Sequence, residues 1–272
     1  MQRFFRYAMV AMLILSLVAL AGCGAQQAGS GKDGPNVAKI KQRGKLLAGV
    51  KSDVPGFGYK NPKTGQFEGY EIEIVKRIAK AILGDENKVE FTHVTPKTRV
   101  ALLNSGELDL VAATFTVTEE RKKEVDFIPV YYTDGIKLLV RKDSGIKGLK
   151  DLDGKTIGVT KGATTGPRLK AQAEKLGAKV NFAEFDTYPE ILSAMQAGRV
   201  QAMSTDGCIL KGYEMQDPST VLLPENYSQE PYGIATKKGN DDMRDLVAKV
   251  VTDLDKSGEL KKLQEKYGIG SK

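Results

Sequence analysis

The most restrictive feature of this 272-residue chain is an alternation of strand-like and helix-like segments along most of its length. Residues 70–83 carry apolar side chains at helical spacing, whereas residues 89–94 alternate in polarity as a half-buried strand does. A β-α-β-α-β order appears twice, over 46–113 and over 156–204, and a helical region follows over 243–267. This order predicts an α/β protein with two largely parallel sheets and a ligand site at the carboxyl ends of the strands.

The composition excludes several kinds of site. One histidine, His93, and two cysteines, Cys23 and Cys208, are too few for a multi-histidine or cysteine-based metal site. We therefore predict no metal, and we expect no cofactor. The formal net charge of +7 admits nucleic acid, a membrane surface or an acidic small molecule as a partner. No basic stripe is interleaved with aromatic residues, however, so we predict no nucleic-acid binding.

The N-terminus has the pattern of a secretory signal. Two arginines precede an apolar run over residues 8–20, which is shorter than the ~20 helical residues that a bilayer requires. The run ends in Leu-Ala-Gly-Cys at residues 20–23, which resembles a bacterial lipobox, whose cysteine carries the lipid. We predict a signal peptide over 1–22 and lipidation of Cys23. A plain secretory signal with a chance cysteine is the open alternative.

The residues after the predicted cleavage site are rich in Gly, Ser and Gln and have no apolar periodicity. We predict that residues 23–35 form a lipid-anchored flexible tether. The protein would then be extracytoplasmic, in the periplasm or at the outer face of the bacterial membrane. With Cys23 lipidated, Cys208 has no disulfide partner, and we expect it to be an inert thiol.

One segment combines alternating hydroxyl groups with a charged turn. Thr114, Thr116 and Thr118 alternate with apolar residues, so an extended backbone puts their side chains on one side. Thr118 can cap the turn that contains Arg121, whose guanidinium could then face the end of the strand and bind a carboxylate through two hydrogen bonds. From the residues alone, a solvent-exposed Arg121 is an open alternative.

This segment resembles the signature of the amino-acid-binding proteins of bacterial ABC importers, the family 3 solute-binding proteins. Further stretches resemble the same family in the same order and extend the likeness over nearly all of the chain after the tether. They are residues 49–55, 69–73, 102–109, 152–159, 162–165, 230–235 and 261–268. Within the family, the sequence is most similar to the binders of aspartate, glutamate and glutamine.

The resemblance implies a two-lobed, periplasmic-binding-protein-like (type II) fold whose lobes close over one amino acid. Two crossing hinge strands would join the lobes, near residues 131–136 and 231–235. Lobe 1 would then comprise residues 36–133 plus 234–272, and lobe 2 residues 134–233.

The resemblance also implies a set of ligand contacts. Arg121 would grip the α-carboxylate, helped by Thr116, while Thr164 and Thr165 would offer hydroxyl and N–H groups to it from a helix N-terminus. Asp206 would accept hydrogen bonds from the α-ammonium, so that the zwitterion bridges the two lobes. Taken alone, Asp206 is equally compatible with capping a helix.

The ligand side chain would meet a further group of residues. Lys51 and Arg99 follow strands of lobe 1, and Arg99 matches a position that faces the ligand tail in binders of acidic amino acids. Two cations there would favour an acidic tail, because an unpaired buried charge is costly. A surface position is the open alternative for both. Tyr188 could add a hydroxyl, and Thr114 completes the predicted ligand-binding set.

The resemblance implies a transport receptor that is not an enzyme and has no catalytic residues. The protein would act as a monomer, capture aspartate, glutamate or glutamine, and deliver it to the permease of an ABC transporter. One alternative is a dehydratase-like enzyme on the same fold, which would need a general acid in the cleft. Another is a receptor for adhesion or sensing.

Overall fold

The computed structural model describes residues 33–269. The predicted signal peptide, Cys23 and most of the predicted tether lie outside this range.

The strands of the described part follow in chain order. They are β1 (Leu46–Val50), β2 (Asp53–Val54), β3 (Gly58–Lys60), β4 (Phe67–Glu68), β5 (Val89–His93), β6 (Leu110–Ala112), β7 (Val125–Phe127), β8 (Tyr132–Asp134), β9 (Ile136–Arg141), β10 (Thr156–Thr160), β11 (Asn181–Phe185), β12 (Ala202–Asp206), β13 (Thr220–Leu222), β14 (Glu230–Tyr232) and β15 (Ala235–Lys237).

The helices alternate with these strands. They are α1 (Pro35–Arg43), α2 (Tyr70–Leu83), α3 (Arg99–Ser105), α4 (Thr165–Lys175), α5 (Tyr188–Gln196), α6 (Gly207–Gln216), α7 (Asp241–Lys256) and α8 (Glu259–Lys266), with short 3-10 turns at Arg121–Lys123 and Leu149–Leu152.

Two five-stranded sheets carry the architecture. The first has the order β5-β1-β6-β15-β7 and the second the order β11-β10-β12-β9-β13. Three strands at one side of each sheet are parallel, as predicted, but β15 and β9 run antiparallel to both of their neighbours. These two strands directly follow the segments that cross between the sheets, and they enter their sheets in the reverse direction.

The crossing consists of β8 and β14, which pair antiparallel. Tyr132 lies opposite Tyr232, and Asp134 lies opposite Glu230. The chain passes from the first sheet through β8 into the second sheet and returns through β14. Both strands lie at or next to the predicted crossings, whereas the exact lobe boundaries stay a prediction.

Aromatic side chains pack around the crossing. The ring of Phe57 is fully buried and contacts Tyr70, Tyr132 and Tyr232 edge to face, with centroids 5.8, 5.1 and 6.0 Å away. Tyr70 begins α2, which buries an apolar face beside the first sheet. Gly69 before it must be glycine, because its φ is 131° and a Cβ would lie 2.2 Å from the Phe57 carbonyl oxygen.

Several helices differ from the prediction. The helical region predicted over 243–267 is two helices, since Gly258 adopts a φ of 74° between α7 and α8. Helices α1 and α6 were not predicted. Helix α6 begins at the residue directly after β12, and α1 is capped by a side chain far along the chain. Pro35, assigned to the tether by the sequence, is the first residue of α1.

No helix within residues 33–269 is long and apolar enough to cross a membrane. In the same range, no three His, Cys, Asp or Glu side chains are grouped so that they could hold a metal ion.

The distant partner of α1 is Asp242, in the first turn of α7. Its Oδ2 accepts hydrogen bonds from the backbone N–H groups of Asn36 and Val37 at 2.9 and 3.0 Å, and its Oδ1 accepts from Asn36 Nδ2 at 2.6 Å. The residue before α1 is Gly34, which has no side chain to cap the helix. Burial opposes the ionisation of Asp242, but these hydrogen bonds outweigh it and lower its pKa.

We expect Asp242→Ala to lower the free energy of unfolding by about 1–2 kcal/mol, because α1 loses the acceptor for its first N–H groups. Asp241→Ala is the matched control, since Asp241 pairs with Arg244 at the surface, and its effect should stay below about 0.5 kcal/mol. Urea unfolding at neutral pH measures both. Equal losses in the two variants would contradict the capping role.

Candidate functional site

Eight of the nine predicted ligand-binding residues line one cleft between the two sheets. The first sheet's side supplies Arg99, Thr114, Thr116 and Arg121, and the second sheet's side supplies Thr164, Thr165, Tyr188 and Asp206. The cleft volume is about 10 Å³, on the order of one water molecule. An amino acid can therefore enter only when the two sides move apart.

The topology explains why these residues meet. Thr114 follows β6, Thr164 follows β10, and Asp206 is the last residue of β12. All three positions lie at or soon after the carboxyl end of a strand that pairs in parallel with a neighbour. The ligand sites of α/β folds lie at such strand ends. The predicted location of the site therefore follows from the strand order.

Arg121 is half-buried and reaches across the cleft. Its Nη1 donates to the carbonyl oxygen of Thr116 at 2.8 Å, and its Nη2 donates to that of Gly162 at 3.0 Å. Burial lowers the pKa of Arg121, but a guanidinium stays protonated at neutral pH. The alternative of a solvent-exposed Arg121 is wrong, because this side chain joins the two sides of the cleft.

Arg99 is only 3 % exposed, so a surface position is wrong for it too. Its guanidinium carbon lies 3.6 Å from the ring centroid of Phe115, and Nη1 donates to the carbonyl oxygen of Ala113 at 2.8 Å. Burial, with the repulsion of Arg121 as a second cause, lowers the pKa of Arg99 to about 9. Arg99 therefore brings a positive charge to the cleft at neutral pH.

Lys51 is the predicted residue that the cleft lining does not include. It is 1 % exposed, and its Nζ lies 3.1 Å from Asp53 Oδ1 and 4.8 Å from the ring centroid of Tyr188. Burial lowers the pKa of Lys51, and Asp53 opposes that shift. The expectation of two unbalanced cations at the ligand tail needs correction, since the charge of Lys51 is balanced by its neighbour.

Asp206 is buried at the opposite side of the cleft. Its Oδ2 accepts a hydrogen bond from the hydroxyl of Tyr232 at 2.5 Å. It occupies the N-cap position of α6, but its side chain makes no capping hydrogen bond there. Burial, followed by the charge of Glu230, raises the pKa of Asp206 to about 8. A cation placed against this carboxylate would favour its ionised form.

Sequence reasoning gave no role to Glu230, which is fully buried in the crossing strand β14. Its Oε2 accepts a hydrogen bond from Thr164 Oγ1 at 2.9 Å, and its Oε1 pairs with the Arg168 guanidinium. The signal was present in the sequence, since Glu230 precedes an otherwise apolar stretch. Thr164 is thus held by the hinge, and Thr165 beside it is 1 % exposed.

Glu71 was also missed. Its Oε1 accepts hydrogen bonds from the backbone N–H of Thr114 at 2.7 Å and from the hydroxyl of Tyr131. Burial is complete and raises the pKa of Glu71 to about 7. An acidic residue on the apolar face of α2, one turn before Val75, is the sequence signal that could have identified it.

A larger cavity, of about 720 Å³, lies beside β8 and includes none of the predicted ligand-binding residues. Cys208 lines it, with Sγ 3.6 Å from the hydroxyl oxygen of Tyr232. Burial and then the charge of Asp134 raise the pKa of the Cys208 thiol. A raised thiol pKa lowers the reactivity of a cysteine, and the inertness of Cys208 stays a prediction.

Residues 46–270 match the bacterial extracellular solute-binding proteins, family 3. The glutamine-binding protein of Geobacillus stearothermophilus is 46% identical over 237 residues, which are 83% of this chain and 89% of that protein. The ABC transporter glutamine-binding protein GlnH of Bacillus subtilis (strain 168) is 39% identical over 242 residues, 88% of this chain and 87% of that protein.

A solved structure is also similar to this chain. It is an ancestral arginine-binding protein bound to arginine, 37% identical in sequence, with a TM-score of 0.74. The match covers 83% of this chain and 98% of that chain. This likeness confirms the predicted fold class, the periplasmic-binding-protein-like (type II) fold.

The raised pKa of Glu71 gives stability a defined pH dependence. The folded protein holds this proton up to about pH 7, whereas an unfolded chain releases it near its ordinary value of about 4.3. The free energy of unfolding of the wild type, minus that of Glu71→Gln, should therefore fall by about 2–3 kcal/mol between pH 5 and pH 8.

Urea unfolding of both proteins across this pH range provides the measurement. Glu73→Gln is the control on the same helix, because its hydrogen bonds with Lys266 and Tyr267 overcome burial and lower the pKa of Glu73. The free energy of unfolding of the wild type, minus that of Glu73→Gln, should not change with pH above pH 5. If the same difference for Glu71→Gln is also independent of pH, the raised pKa of Glu71 is refuted.

Proposed function

Because this chain belongs to the bacterial extracellular solute-binding proteins of family 3, we propose that it captures L-glutamine between its lobes and delivers it to an ABC permease. Two relatives named for glutamine binding support this ligand. The relatives are named for binding and not for catalysis, which supports a receptor that is not an enzyme.

The observation that carries this proposal is a guanidinium on one side of the cleft and a carboxyl group on the other. Arg121 lies on one side, and Asp206 lies on the other with 5 % exposure. An α-carboxylate would take hydrogen bonds from the guanidinium fork, and an α-ammonium would pair with the carboxylate. A zwitterion satisfies both charges at once, which supports a free amino acid as the ligand.

Charge balance argues against a cationic ligand side chain. Lys51 is paired with Asp53, so Arg99 is the cation that remains for the ligand tail. The same Arg99 disfavours a cationic tail such as that of arginine, because like charges would be buried together. L-Glutamate is the second candidate, since the Nε of Arg99 is buried without a hydrogen-bond partner in the described part of the chain.

Contacts across the cleft support coupling of binding to lobe closure. Besides the bond from Arg121 to Gly162, the hydroxyl of Tyr213 donates to the carbonyl oxygen of Asp53 at 2.7 Å. The ligand would enter when these contacts open and would join the two sides when they close again. The lobes of this proposal are residues 36–133 plus 234–272 and residues 134–233.

The proposal includes a lipid anchor at Cys23, after removal of residues 1–22, and a monomeric receptor. Family membership supports an extracytoplasmic protein, and the Leu-Ala-Gly-Cys sequence at residues 20–23 supports the lipid. A receptor held at the membrane by residues 23–35 would stay close to its permease.

Calorimetric titration with each of the twenty amino acids tests the ligand. We expect L-glutamine to bind at micromolar concentration or tighter. Arg121→Ala should weaken that binding by about two to three and a half decades, equivalent to about 3–5 kcal/mol for a broken buried ion pair.

Arg141→Ala is the matched control, because Arg141 is exposed and pairs with Asp143. It should change the affinity by less than about twofold. Equal affinities of the two variants would remove Arg121 from the site, and the absence of heat with glutamine, glutamate and aspartate would refute the ligand class.

The anchor is tested by fractionating bacterial cells that express the full chain. Wild type should be found with the membranes and carry the mass of a lipid, whereas Cys23→Ser should be found in the aqueous fraction. Cys208→Ser is the control, and it should stay with the membranes. Membrane retention of Cys23→Ser without lipid mass would contradict anchoring through this residue.

A further inference from the structure

One peptide group beside the cleft is held at both ends by buried ionisable side chains. The carbonyl oxygen of Ala113 accepts a hydrogen bond from Arg99 Nη1 at 2.8 Å. The N–H of the next residue, Thr114, donates to Glu71 Oε1 at 2.7 Å. The Ala113–Thr114 peptide therefore lies between a guanidinium that is 3 % exposed and a carboxylate that is fully buried.

The backbone that follows this peptide is strained. Thr114 has a φ of 41°, and within residues 33–269 it is the non-glycine residue with a positive φ. A β-branched side chain disfavours that conformation, which glycine adopts freely. Such strain persists only where surrounding contacts determine the backbone. Thr114 also lines the cleft, so the strain lies at the ligand site itself.

The same carboxylate oxygen connects this turn with the hinge. Glu71 Oε1 also accepts a hydrogen bond from the hydroxyl of Tyr131, the residue immediately before β8. The backbone N–H of Tyr131 donates to the carbonyl oxygen of Tyr232 in β14 at 3.1 Å. One side chain thus joins the cleft turn to the crossing strands.

We propose that Glu71 is a positioning residue of the ligand cleft, which holds the Ala113–Thr114 peptide in the orientation that Thr114 and Arg99 need to face the ligand. It acts through these two residues and makes no contact with the ligand of its own. The inference deepens the proposed function, since the site that it supports is the glutamine site.

Packing alone does not explain an acid at this position. Neighbouring residues of α2, such as Ile72, Ile74 and Val75, are fully buried and apolar. Oε2 of Glu71 is buried without a hydrogen-bond partner in the described part of the chain. A buried carboxylate is costly, and an apolar residue would fill the space without that cost. Unlike an apolar residue, the acid can make the hydrogen bonds to Thr114 and Tyr131.

A double-mutant cycle of Glu71→Ala with Thr114→Gly tests the proposal, with L-glutamine affinity measured by calorimetry. Glycine reaches the positive φ without strain and does not need Glu71 to hold it. Glu71→Ala should therefore weaken glutamine binding by about tenfold or more beside Thr114, but by about threefold or less beside Gly at position 114. Such rescue is not expected of a residue that only fills space.

Two further variants keep the test decisive. Glu73→Ala lies on the same helix and loses contacts with Arg77, Lys266 and Tyr267; it should show no coupling to Thr114→Gly. Glu71→Gln keeps the side-chain volume and loses the charge. If Glu71→Ala does not fold, Glu71→Gln replaces it in the cycle. Its loss of glutamine affinity should then be about threefold larger beside Thr114 than beside Gly at position 114.

Equal losses of affinity beside Thr114 and beside Gly at that position would overturn the proposal. If the wild type binds no amino acid, the proposed function fails instead. The same cycle is then measured in free energies of unfolding with urea, where the variants at Glu71 should cost less beside Gly at position 114 than beside Thr114. Absence of that coupling would also overturn the positioning role.

Discussion

The pairing of β8 with β14 is the interaction on which the rest of the structure depends. Residues of the crossing contact the second sheet's side of the cleft, since Tyr232 binds Asp206 and Glu230 binds Thr164. Tyr131, next to the crossing, binds Glu71 on the first sheet's side. The ligand residues are therefore fixed to the hinge and not only to their own sheets, so that a change in the crossing is transmitted to the cleft.

Charge balance is the second constraint. Burial makes each unpaired charge costly, and the cleft region contains cations and anions in close association. Lys51 lies against Asp53, while Arg99 and Glu71 hold opposite ends of one peptide group. Arg121 and Asp206 remain as the charges available to a zwitterion. Lys51 is already paired, so ligand selection depends on Arg121 and Asp206 together with Arg99 at the ligand tail.

Much of the architecture could be predicted from the sequence, because local periodicity determines it. Helix α2 begins and ends at the residues that its apolar spacing indicated, and the crossings lie where the family resemblance put them. Helix α1 could not be predicted, since its cap is on a residue far along the chain. Likewise, the sequence identified the charges of the cleft but not which ones pair. Lys51 lay outside the lining, and the roles of Glu71 and Glu230 were missed, because burial and pairing are properties of the tertiary structure.

The position of β15 and the cap on α1 have a kinetic consequence. The second sheet is built from one continuous stretch of chain, whereas the first needs β15 between β6 and β7. The contact from Asp242 to Asn36 spans 206 residues, and such non-local contacts form slowly because a long loop must close first. Because the chain is synthesised from its N-terminus, the second sheet can become complete before the first. The first sheet lacks β15 until the segment after β14 has been added. The path of the chain therefore determines the order in which the two sheets are completed.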